Sequence, residues 1–136
     1  MSQEDVEIVR RSWGAWERGD MEAVFATYDE EVVWDFSRAY GIVVLSREYH
    51  GHDGVRQFFR DWAGSFDGYY AHAEQFTDAG DGQVLVRARQ GGRGKESGIE
   101  MDMRYWQVYR VRKGRAIRVE VYSEEREALE AVGLRE

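Results

Sequence analysis

Apolar positions in the first half of the chain recur with helical spacing, and those in the second half alternate as strands do. Val6, Val9, Trp13 and Trp16 stand three and four residues apart and so share one helix face. Ser2 and Asp5 read as a capping box at its start, with Asp in the place of the usual Glu. Gly19 stops this helix, and Asp20 caps a second one over residues 21–28. Val32-Val33-Trp34-Asp35-Phe36 is short, β-branched and aromatic, and predicts a strand. Residues 37–52 are less regular; residues 42–45 within them form a short strand or a lid. Asp53 then caps a third helix carrying Val55, Phe58, Phe59, Trp62 and Phe66.

Strand character begins after Gly68. Residues 69–77 lead to a turn at 78–82, and residues 83–90 lead to the glycine-rich stretch 91–94. That stretch lies between strands, not before a helix, so it reads as a mobile hairpin loop, not a phosphate cradle. A long strand over 97–111, a hairpin turn at Lys113-Gly114 and a last strand over 116–122 follow. Ser123 caps a final helix running to Val132 and stopped by Gly133. The whole chain, residues 1–136, reads as one α+β domain in which helices pack on a curved antiparallel sheet.

Composition narrows the chemistry. Lys+Arg number 19 against 26 Asp+Glu, a formal net charge of −7, which disfavours binding to a phosphate backbone. No apolar run approaches the ~20 residues of a membrane span. The polar, acidic residues 1–5 are unlike a targeting segment, so a cytoplasmic protein is expected. Cys is absent, which removes thiolate nucleophiles and Cys-based metal sites. His50, His52 and His72 show no ligand spacing, so no metal and no cofactor is expected. Five Trp, eight Tyr and six Phe are a large aromatic load for 136 residues, and some of it must line any interior space.

Several segments together resemble the SnoaL-like branch of the nuclear-transport-factor-2-like superfamily. They are Trp16-Glu17-Arg18-Gly19-Asp20, Tyr28-Asp29-Glu30-Glu31-Val32-Val33-Trp34 and Tyr49-His50-Gly51-His52-Asp53-Gly54-Val55, then residues 114–122 and 126–134. The resemblance implies a cone-shaped, cystatin-like roll, with a strongly bent sheet wrapped around helices and a pocket open at one end. It also implies a choice of activities, because members include ketosteroid isomerase, polyketide cyclases, limonene-epoxide hydrolase and scytalone dehydratase, beside members without activity.

The catalytic sets of these relatives carry over incompletely. The isomerase's general base falls at Phe36, with Asp35 one residue early, and its two oxyanion donors fall at Ser12 and Gln107. The epoxide hydrolase set falls at Tyr105, Gln107 and Tyr122, without a carboxylate. The single acid of the cyclases has Glu120 as its nearest counterpart. If Gln107 faces the pocket, strand alternation brings Met101, Met103, Tyr105 and Tyr109 with it, and Glu120 and Tyr122 face inward on the next strand.

The expected site is therefore an aromatic pocket for a small apolar or aromatic molecule. Glu120 or Asp35 shuttles a proton, and Gln107, Tyr105 and Tyr122 orient the substrate. Trp16, Trp34, Phe36, Trp62 and Met103 complete the wall. Alternatively, the tryptophans are core, Asp35 and Glu120 are paired with Arg, and the chain is a non-catalytic binding or interaction module. Trp106 among Asp102 and Arg104 on the outer face suggests a homodimer through the convex sheet.

Overall fold

The computed structural model describes residues 2–39 and 47–134. Helices α1 (Ser2–Glu17) and α2 (Met21–Ala26) open the fold, followed by strand β1 (Tyr28–Arg38). Strand β2 (Glu48–His50), helix α3 (Gly51–Asp61) and a 3-10 turn (Ala63–Ser65) come next. The meander β3 (Phe66–Gly80), β4 (Gln83–Gly94), β5 (Glu100–Arg112) and β6 (Arg115–Tyr122) precedes helix α4 (Glu125–Ala131). The six strands form one sheet in the order β2-β1-β6-β5-β4-β3. Meander pairs are antiparallel as expected, but β6 closes the sheet by running parallel to β1, so the sheet is mixed.

Local signals explain most element ends. Asp20 accepts a hydrogen bond from the Ala23 amide and caps α2 as expected. Helix α3 starts at Gly51, two residues before the expected cap. Asp53 instead sits in the first turn, where a carboxylate suits the unpaired amides, and bonds Arg56 at 3.2 Å. Phe66 belongs to β3, not α3. Helix α4 begins at Glu125 after Glu124, not directly after Ser123. The Ser2 side chain of the expected capping box and the expected element at 42–45 lie outside the described residues.

The glycine-rich stretch corrects the expectation of a loop. Gly91 and Gly92 lie inside β4, with Cα partners Tyr70, Asp102 and Met101 on the flanking strands. A Cβ at Gly91 would collide with the Tyr70 hydroxyl and with the Met101 carbonyl of β5, so glycine there permits close strand approach.

One residue in β6 sets the orientation of the sheet's centre. At the hairpin, Arg112 pairs with Arg115 and Val111 with Ala116. Regular continuation would place Glu120 opposite Gln107. The register shifts by one beyond Val111, so that Arg110 meets Arg118 and Gln107 meets Val121. Ile117 is the extra residue of this bulge, and every later side chain of β6 changes face.

The concave face and helices α1–α3 enclose the main core, which includes Val9, Val24, Val32, Trp34, Val55, Phe58, Val84 and Val119. A smaller cluster on the opposite face joins Leu85, Val108 and Tyr122 to Ala128 and Val132 of α4 and its flank. We expect Gly91→Ala to lower stability by about 1–3 kcal/mol in urea denaturation, since a buried methyl must push the strands apart. An unchanged midpoint would contradict the close approach.

Candidate functional site

The cone closes around a cavity of about 50 Å³. Ser12, Trp13 and Trp16 reach it from α1 and Val24 from α2. Strand β1 adds Tyr28, Trp34 and Phe36, and helix α3 adds Phe58 and Phe59, with Trp62 following it. Tyr69, Ala71, Gln90, Tyr105, Gln107, Tyr109 and Val121 complete the wall from β3 to β6. The space holds a few water molecules. A six-membered ring enters only if wall side chains shift, and Trp16, Phe59 and Tyr69 are only half-buried.

Aromatic contacts run continuously through this wall. Phe58 lies 4.8 Å from Phe36 and 5.1 Å from Trp34 between ring centres, and Trp16 stacks on Phe59 at 5.3 Å. Such pairs contribute roughly 0.5–1.5 kcal/mol each beyond their buried area. Polar groups are few and mostly engaged. Trp62 Nε1 and the Tyr69 hydroxyl both donate to Gln90 Oε1 at 2.7 Å, and Trp16 Nε1 donates to the Ala71 carbonyl at 3.1 Å.

No Asp, Glu, Lys, Arg or His lines the cavity among the described residues. Its titratable groups are tyrosines, and burial raises all four. It pushes the hydroxyls of Tyr105 and Tyr109 well above their ordinary range. Tyr28 and Tyr69 rise by the same cause, partly offset by hydrogen bonds with Ser12 and Trp62. These hydroxyls stay protonated at physiological pH, serving as neutral donors and not as bases.

Trp16, Trp34, Phe36, Trp62, Tyr105 and Gln107 thus stand in the cavity wall. Four other candidates do not. Glu120 and Tyr122 emerge on the convex face, opposite Val108 and Trp106, because of the Ile117 bulge. Asp35 pairs in register with Glu120 and shares that face. Met103 is half-buried on the cavity side of β5, outside the lining. The expectation of a proton shuttle in the cavity is corrected accordingly.

On the convex face the two carboxylates flank one guanidinium. Arg118 donates to Asp35 at 2.7 Å and to Glu120 at 3.0 Å, and Glu120 also accepts from Arg110 and the Tyr122 hydroxyl. For Asp35, partial burial raises the pKa, but the Ser37 amide and Arg118 outweigh it and hold the carboxyl below its usual value. Tyr122 is pushed up to about 12 by burial and by the Glu120 charge.

Trp106 is half-buried against the α4 cluster, not exposed as expected. His50 bonds Glu48, His52 bonds the Tyr28 carbonyl, and His72 stacks on Tyr70. These three histidines converge on no common centre, and no potential metal-holding group of three occurs among the described residues.

Gln90 and Tyr28 line the cavity without having been expected there. Gln90 interrupts the alternating apolar row Val84, Val86, Ala88, and that break marks an inward polar group. Tyr28 stood at the end of an expected helix, which concealed its inward direction.

The SnoaL-like domain family profile matches residues 9–119. No curated protein matches the chain. Among solved structures, a nuclear-transport-factor-2-like protein from Burkholderia thailandensis is 26% identical. The match covers 88% of this chain and 90% of that one, with a TM-score of 0.78. TerC, co-crystallised with polyporic acid, is 18% identical over 95% of this chain and 98% of its own, with a TM-score of 0.72. A Mycobacterium tuberculosis protein in complex with estradiol-17β-hemisuccinate is 16% identical, covering 90% and 95%, with a TM-score of 0.71. No helix among the described residues is long and apolar enough to cross a membrane.

Because its folded-state pKa is lowered, Asp35 stabilises the fold above its unfolded pKa, near 3.9, and that contribution is lost as pH falls through the folded value. Asp35→Asn is expected to cost about 1–2 kcal/mol at pH 7 and progressively less at an acid pH well below the unfolded value. Urea titrations at the two pH values test this; an equal loss at both would refute it.

Proposed function

The chain belongs to the SnoaL-like domain family, and on that premise we propose that its cone binds a small, neutral, largely aromatic molecule. The observation that carries this reading is the wall itself: rings on every side, two carboxamides and no charged side chain among the described residues. Burying an ion there leaves it stripped of water without a counter-charge, whereas a neutral ring gains apolar burial and ring contacts. The TerC structure with polyporic acid and the mycobacterial structure with estradiol-17β-hemisuccinate support a ligand-binding role for a chain of this fold.

Binding and orientation are the roles the wall supports. Its tyrosines and Gln107 position a substrate, while proton transfer by Asp35 or Glu120 lacks support because both engage Arg118 on the other face. A cofactor-free isomerase, cyclase or hydrolase activity would therefore need its proton acceptor from the substrate or water. Self-association through the convex face is a separate proposal. Sedimentation as a monomer at high concentration would refute it.

Tryptophan fluorescence titrations with toluene, benzoate and benzylammonium test the ligand class. Toluene is expected to bind at least about tenfold more tightly than either ion. Ala71→Phe fills the cavity and abolishes binding, while Glu120→Gln changes affinity less than about twofold. Equal affinity for benzoate, or loss of binding in Glu120→Gln with the fold intact, would overturn this reading.

A further inference from the structure

The cavity is smaller than a six-membered ring requires, so such a ligand enters only where the wall can part. Among the described residues of the wall, only Trp16, Phe59 and Tyr69 are half-exposed, and all the others are buried. These three come from separate elements, α1, α3 and β3, yet they meet at one point. The Trp16 ring stacks on Phe59 at 5.3 Å and stands edge-on to Tyr69 at 6.3 Å. Trp16 is thus the centre of the place where the cavity wall is also the molecular surface.

The three are held unequally. Phe59 is wedged among Phe25, Phe58 and Trp34, with ring centres 6.2, 5.2 and 5.9 Å away. Tyr69 packs on Phe66, and its hydroxyl donates to buried Gln90, which also holds Trp62. Trp16 has only the two rings and one polar tie, its indole N–H donating to the Ala71 carbonyl at 3.1 Å. Water replaces that bond when the indole turns outward. Trp16 also stands one residue from the end of α1, where a helix is least firmly held.

We propose that Trp16 is the gate of the cone: its indole swings away from Phe59 and Tyr69 to admit a ligand, and its bond to Ala71 is the latch. This rests on the reading of the cone as a ligand site and adds how that site is reached. A side chain that only contacts the ligand governs mainly how fast the ligand leaves. One that bars the passage slows entry and exit together, because both cross the same barrier.

One measurement uses a ligand and a second does without. Trp16→Phe keeps a ring and loses the latch. In stopped-flow tryptophan fluorescence with toluene, it is expected to raise the association and dissociation rate constants together, each about tenfold, as the loss of one hydrogen bond allows. Trp34→Phe, in the buried wall, should raise dissociation alone. In the ligand-free protein, 15N–1H spectra follow solvent exchange of the Trp34 indole proton. That N–H is buried and has no hydrogen-bond partner among the described residues, so its exchange reports how often water reaches the interior. It should quicken about tenfold in Trp16→Phe, while the Val86 amide, fully buried in the sheet, keeps its rate.

A rise confined to dissociation, or unchanged exchange at Trp34, overturns the gate. Equal quickening at Trp34 and Val86 overturns it too, because the whole fold has then loosened. If toluene does not bind while Trp34 alone exchanges faster, Trp16 still bars the cavity and the ligand reading falls. Should Trp16→Phe fail to fold, Phe59→Leu loosens the stack from the other side and carries the same expectations.

Discussion

Ile117 is one residue more than a regular hairpin between β5 and β6 requires, and the character of the cavity depends on that excess. A strand has two faces and a period of two, so a single inserted residue exchanges everything beyond it. With the bulge, Val119 and Val121 enter the interior while Glu120 and Tyr122 leave it. Without it, a carboxylate would stand beside Gln107 in the aromatic wall. The same turn that pairs Arg112 with Arg115 therefore leads to an interior free of charge and an exterior where Arg118 is flanked by acids.

The two faces solve different physical problems. Inside, the tyrosines and tryptophans fill volume and keep their protons, and hydrogen bonds such as those converging on Gln90 hold rings in place without introducing charge. Outside, the charged side chains of β3–β5 pair across strands, as in Arg89 with Asp102 and Arg104 with Glu74. Exposed pairs of this kind add little stability but keep a broad sheet surface solvated. Where α4 crosses, the outer face is apolar.

Much of this was legible in advance. Helical spacing at Val9, Trp13 and Trp16, the Asp20 cap and the Lys113-Gly114 turn each rest on local chemistry, and the structure realises each one. The order of segments carried the family and hence the cone. Within β5, alternation put Tyr105 and Tyr109 on the same side as Gln107, and all three line the cavity. Where the reading had to pass from one strand to the next it failed, because the Ile117 bulge has no compositional mark. Gly91 misled for a related reason. Glycine signals a loop when judged locally, and only the neighbouring Met101 carbonyl and Tyr70 ring explain why it stands within a strand. The pairing of Asp35 and Glu120 with Arg was the plainer of two alternatives and is the one observed.

The parallel pairing of β1 with β6 carries a consequence in time. Trp34 meets Val119 across a separation of 119 − 34 = 85 residues, whereas β3–β4 and β5–β6 join through tight turns. Closing a long loop costs entropy before any contact repays it, so local hairpins form early and distant pairs late. The wall built on β1 must wait for the last strand of the meander. Until β6 docks, Trp34 and Phe36 have no sheet partner on that side, and their rings are exposed to any passing apolar surface. The feature that seals the interior is thus also the slow step, and the nascent chain is most prone to aggregate while that one seam is open.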